Sequence, residues 1–330
     1  MSEADVEPRV EALWRAGELR AAVELSASRF RGGPFRDADV DAVGDDLDAA
    51  ARLFAHGSRC WFVARWADAE LALDRALAIR AAQLGDRDVA TLACVERLAA
   101  VAHKQRRLAD ARVRWDAVVD ALEIAAPVLG ACAARNYAAY LTGRRGDLRE
   151  PRELMDRALA VLVGELGEAH DDVLAARKAN AMLLIREGAP RKALDAIQRA
   201  LEDTALPDDH PFVAGAKLAA VRARLAARKP DAAAIEALLV DAIASFERGY
   251  GEHPLLAIAL YLGAKHGSAP PEVAAERAAR AFAVRRRFDP LPDRDTRVIG
   301  EAAHSLLEAA GLRDDAARLH RELAESPEVA

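Results

Sequence analysis

The feature that most limits what this chain can fold into is a short apolar-centred pattern that returns about every 40 residues. It shows at Ala69-Glu70-Leu71-Ala72-Leu73-Asp74-Arg75-Ala76-Leu77, at Arg152-Glu153-Leu154-Met155-Asp156-Arg157-Ala158-Leu159, and at Ala193-Leu194-Asp195-Ala196-Ile197-Gln198-Arg199-Ala200-Leu201. Residues 111–119 and weaker copies ending at Ala242-Ile243 and Ala281-Phe282 complete the series. The residue before the last apolar one falls at Ala76, Val118, Ala158, Ala200, Ala242 and Ala281, at intervals of 42, 40, 42, 42 and 39 residues. A period of that length holds two helices and two short turns, and little else.

Chain breakers keep the same phase. Leu84-Gly85-Asp86, Leu166-Gly167-Glu168, Pro207-Asp208-Asp209-His210-Pro211 and Tyr250-Gly251-Glu252-His253-Pro254 follow the copies, and Gly146-Asp147-Leu148, Gly188-Ala189-Pro190 and Lys229-Pro230-Asp231 fall midway between them. Glycine ends helices and proline is tolerated in a first turn, so each unit reads helix A, tight turn, helix B, looser turn. Between residues 89 and 106, Leu92, Val95, Leu98, Ala99, Val101 and Ala102 recur largely at three- and four-residue spacing. Small residues such as Ala99, Ala111 and Ala181 let helices approach, and Leu73, Trp115, Met155 and Ile197 face the gaps between them. Hydrophobic residues are 52% of the chain but aromatics only 5%, so good helix formers carry the apolar share. The expected fold is all-α, an α-solenoid of about eight stacked antiparallel helix hairpins.

Three zones are expected in one continuous solenoid: a degenerate N-terminal hairpin over 1–36, repeats over 37–290, and a degenerate capping hairpin over 291–330. The turns Gly17-Glu18-Leu19 and Gly311-Leu312-Arg313 mark the outer hairpins, and Arg31-Gly32-Gly33-Pro34-Phe35 lengthens the first connection.

Charge and motifs narrow the chemistry. A net charge of −6 offers no footprint for nucleic acid or anionic membrane. Residues 1–5 are acidic and introduce no apolar stretch, so neither a secretory signal nor a membrane span is expected, and a cytoplasmic setting is. Cys60, Cys94 and Cys132 lie far apart, which favours reduced thiols in helix interfaces over disulfides. No GxxxxGK, GxGxxG, HExxH or GxSxG pattern occurs, and no cofactor or metal is expected. Asp45-Asp46-Leu47-Asp48, His170-Asp171-Asp172 and Asp208-Asp209-His210 have the ligand types of a cation site, but the two histidine clusters fall where a helix A begins, and carboxylates there satisfy orphan N–H groups. Arg285-Arg286-Arg287 reads as the solvated end of a helix B, and Trp14, Trp61, Trp66 and Trp115 as interface fillers.

The order of a Gly near the turn, an early Ala in helix B, a large apolar residue and a second Ala resembles tetratricopeptide repeats. Ala76-Leu77-Ala78-Ile79-Arg80 with the following Leu84-Gly85-Asp86, and 208–214 (Asp-Asp-His-Pro-Phe-Val-Ala), resemble the 42-residue variety of kinesin light chains and many bacterial proteins. Pro151 departs from the pattern, standing where the early helix-B Ala belongs. The resemblance implies a right-handed superhelix whose A helices line a concave face that binds another protein or an extended peptide. It places Glu96, Arg97, Lys104, Arg135, Asn136, Lys178, Met182 and Arg186 at outward helix-A positions, with Asn136 matching a position that hydrogen-bonds peptide backbone in the family. The expected occupant of that basic groove is a segment of acidic character, and the expected role a non-enzymatic scaffold or adaptor. A ligand- or peptide-responsive regulatory partner of a bacterial signalling or transcription system, and a helical metal-dependent enzyme, stand as alternatives.

Overall fold

Helix starts are written locally. Asp46, Asp88 and Asp231 each accept a hydrogen bond from a backbone N–H two or three residues on, at 2.6, 2.8 and 3.0 Å. His170, His210 and His253 do the same through Nδ1, each at 3.1 Å. Proline opens the helices that begin at Pro127, Pro190, Pro211 and Pro254, where its missing N–H costs nothing.

In this computed structural model, residues 3–28, 44–227, 231–288 and 294–324 are described. They form sixteen helices and no strand, in two compact units, 1–206 and 207–330. Unit 1 holds α1 (Glu3–Arg15), α2 (Leu19–Ala27), α3 (Leu47–Phe62), α4 (Trp66–Leu84), α5 (Val89–Lys104), α6 (Leu108–Ala125), α7 (Pro127–Thr142), α8 (Arg149–Leu166), α9 (Asp171–Arg186) and α10 (Pro190–Asp203). Unit 2 holds α11 (Pro211–Ala226), α12 (Ala232–Gly249), α13 (Pro254–His266), α14 (Pro271–Phe288), α15 (Arg294–Ala309) and α16 (Arg313–Ala324). The expected division points at 36/37 and 290/291, and the connection 31–35, lie outside the described residues.

Within each unit every helix packs on the next, so the molecule is an all-α helical repeat of stacked hairpins. The recurring positions Ala76, Val118, Ala158, Ala200, Ala242 and Ala281 are all buried, and so are Leu73, Trp115, Met155 and Ile197 opposite them. Ion pairs tie successive B helices together: Arg157 of α8 to Glu123 of α6, and Arg277 of α14 to Glu236 of α12. In unit 1 the A helices also touch directly, α3 with α5, α5 with α7 and α7 with α9, and approach more closely than the B helices do. No described helix is long and apolar enough to cross a membrane.

Five of the tight A–B turns place a residue in the same conformation. Gly17, Gly188 and Gly311 have φ of 78, 77 and 76°, the left-handed region that glycine enters without steric cost. The corresponding turns before α4 and α6 place Ala64 and Arg106 there instead, at φ 60 and 67°.

Candidate functional site

The A helices of unit 1 carry all eight predicted contact residues, and the structure uses several of them as struts between helices. Arg135 and Asn136 are neighbours on α7, and Arg135 Nε donates to Asn136 Oδ1 at 3.3 Å. Asn136 Nδ2 donates to Glu96 Oε1 of α5 at 2.8 Å. Arg135 Nη1 donates to Asp172 Oδ1 of α9 at 2.8 Å and to its carbonyl at 3.3 Å. Glu96 is 1% and Arg135 9% exposed, which corrects their outward assignment: each lies between packed A helices, where a buried charge must be paired. Burial works against the Asp172 carboxylate, yet the Arg135 charge and hydrogen bond outweigh it and hold the carboxyl below its ordinary value. Arg186 is exposed but spent on backbone, donating to the carbonyls of Thr142 at 2.6 Å and Arg144 at 3.1 Å beyond the α7 terminus.

Arg97, which also pairs with Glu96 at 3.8 Å, and Lys104 gather on Trp61, while Lys178 and Met182 lie on α9. Trp61, near the end of α3, is half-buried, and packs part of its ring on the core that contains Trp115. The Arg97 guanidinium lies 5.7 Å and the Lys104 ammonium 5.6 Å from its ring centroid, both within cation–π range. Trp61 is therefore a platform under two cations as well as a filler. A Trp on one A helix with basic residues on the next was the sequence signal for it. Trp115, by contrast, is fully buried and stacks on Tyr137 at 5.6 Å.

Lys178 and Met182 lie half-buried on α9. No described residue gives the Lys178 ammonium a hydrogen bond or ion pair. Burial, then the charges of Arg135 and Lys104, push its titration down from 10.5 to about 8. Within this group Arg97 pairs with Glu96 and Arg135 with Asp172.

Other candidate chemistry is structurally engaged. His170, Asp171 and Asp172 bring ligand atoms within 4.8 Å of one another, but His170 Nδ1 takes the Asp172 N–H and Asp172 takes Arg135. Those lone pairs are committed to capping and pairing, so the trio does not fit a cation site. Cys60 Sγ lies 3.4 Å from His56 Nε2, and His56 Nδ1 lies 3.1 Å from Ser26 Oγ. All three are buried; burial, with Arg65 and Arg59, takes His56 down to about 3, and burial takes Cys60 up to about 12. Neither ionises near neutrality, so the arrangement is a packed polar network rather than a nucleophile. No protein-family model matches the chain, and no curated protein matches it.

Proposed function

We propose that this protein is a tetratricopeptide-like interaction module, a non-catalytic cytoplasmic scaffold or adaptor that docks an extended acidic segment of a partner protein along the A helices of unit 1. The carrying observation is a half-buried Trp61 beneath Arg97 and Lys104, with Lys178 lacking an acid of its own among the described residues. The Arg135–Asp172 and Asn136–Glu96 links keep the A helices in register, so these residues sit on a pre-formed surface, which lowers the ordering cost of binding.

Selection of a random peptide-display library on the purified protein tests the reading. Acidic segments are expected to be enriched, to bind less well as salt rises, and to lose at least tenfold in affinity to the Lys104→Glu/Lys178→Glu variant. Enrichment of neutral or basic segments, or unchanged binding by that variant with its helical content intact, removes the assignment.

A further inference from the structure

Between α6, α7 and α8, unit 1 holds a cavity of about 210 Å3 that none of the docking residues lines. Trp115 forms part of its wall. The Trp115 side chain is fully buried, yet its indole N–H has no acceptor among the described residues. A buried donor left unpaired costs free energy, and native structures keep few of them. An oxygen of a molecule bound in the cavity would supply what the protein does not.

Charge is the second sign. Asp116, Asp120, Glu150 and Glu153 line the same space against a single guanidinium, that of Arg157. Tyr137 donates to Asp116, Arg112 pairs with Asp116 at 3.4 Å, and Glu123 pairs with Arg157 at 3.3 Å. Asp120, Glu150 and Glu153 have no hydrogen bond or ion pair among the described residues. Glu150 and Glu153 also border a neighbouring cavity with Arg144 and Arg145, but neither arginine pairs with them. Exposed carboxylates alone are ordinary. Three of them, from two helices, around one space with a buried orphan donor in its wall are not.

We propose that this cavity binds an amino sugar, a single sugar ring that carries one ammonium group. The ammonium meets Asp120, Glu150 and Glu153, in charge-assisted hydrogen bonds of the stronger kind. Ring hydroxyls accept from the Trp115 N–H and from the Arg157 N–H groups that Glu123 leaves free, since a guanidinium has five donors. Val119, Leu154 and the Tyr137 ring give the C–H groups an apolar wall. Pockets for drug-sized ligands start at about 300 Å3, so this cavity suits one sugar unit and little more. A linear diamine would leave the Trp115 N–H unpaired, and a neutral sugar would leave the carboxylates uncompensated. The cavity and the docking face use different residues, so either assignment can fail without the other.

Isothermal titration of the full-length protein with glucosamine, glucose and putrescine tests the site. Glucosamine is expected to bind one to a chain, roughly tenfold more tightly than glucose and severalfold more tightly than putrescine. Asp120→Asn/Glu153→Gln, at two exposed positions, should weaken glucosamine about tenfold with helical content unchanged. The indole 15N–1H resonance of Trp115 reads the buried contact without any substitution there. It should shift with glucosamine and stay in place with putrescine. Putrescine binding as tightly as glucosamine, or an indole resonance that glucosamine leaves unmoved, overturns the sugar. No heat with glucosamine at tens of millimolar, or undiminished affinity in the double variant, overturns the site altogether.

Discussion

Two lysines on A helices, one in each unit, show how differently the same residue is housed. Lys217 on α11 is 7% exposed and reaches Asp208 Oδ2 at 2.9 Å, the Asp208 carbonyl at 3.3 Å and Asp241 Oδ2 at 3.4 Å. Lys178 on α9 is half-buried among cations and has none of this. The first is a charge that the fold has compensated, and removing either side leaves something stranded. The second is a charge that the fold tolerates at a cost. Sites of that kind are where a structure has traded stability for an external contact.

The contrast extends to other ionisable groups, and acid should expose it most strongly. His56 and His103 of unit 1 are both lowered from 6.5 to about 3, chiefly by burial and then by neighbouring cations. Between those values the unfolded chain binds protons that the folded unit refuses, so stability is lost as pH falls from about 6.5 toward 3. At pH 5 the loss is about 2 kcal/mol for each histidine. Amide exchange should show α5 losing protection before α11 does. Equal losses in the two units would erase the distinction.

Breaking the compensated pair comes next in size. Asp208→Asn/Asp241→Asn should destabilise unit 2 by about 2 kcal/mol in urea, less than a fully buried pair because both carboxylates are largely exposed. A change within about 0.5 kcal/mol would mean that Lys217 never needed them. Lys178→Met should do the opposite. The folded titration is depressed, so the ammonium opposes folding below about pH 8 and the penalty fades between about 8 and 10.5. The full shift corresponds to about 3 kcal/mol, and partial exposure brings the expected stabilisation at pH 7 to about 1–2 kcal/mol. A destabilised variant would show that Lys178 has a structural partner.

Much of this fold was legible because the repeat forces the same residue types into the same places. The buried Ala76, Ala158, Ala200, Ala242 and Ala281, the fillers Leu73, Trp115, Met155 and Ile197, and the histidine-led helix starts all follow from period and turn chemistry. Ala64 and Arg106 were hidden, since neither residue type announces the left-handed turn that each adopts. The site was legible only as a face. Helical phase placed all eight residues on A helices, but whether a polar side chain meets solvent or the next helix depends on packing between repeats, which periodicity does not encode. Arg135, Asn136 and Glu96 fell on the inner side of that divide, and Trp61 on the outer.

The smallest expected effect separates the two lysines most cleanly. An acidic segment docked at Lys178 requires the ammonium, and contact with an anion returns the bound lysine toward its ordinary titration near 10.5. Half of the free protein carries a neutral amine at about pH 8, so binding there should be roughly twofold weaker than at pH 6.5, and roughly tenfold weaker at pH 9. Calorimetry in two buffers of different ionisation enthalpy should then report uptake of about half a proton at pH 8. Lys178→Met should bind weakly but with a flat profile, whereas Lys217→Met should keep the wild-type slope, since Lys217 belongs to unit 2 and is held there by Asp208 and Asp241. A slope that persists in Lys178→Met would locate the titrating group elsewhere and leave Lys178 as an unpaired charge with no part in recognition.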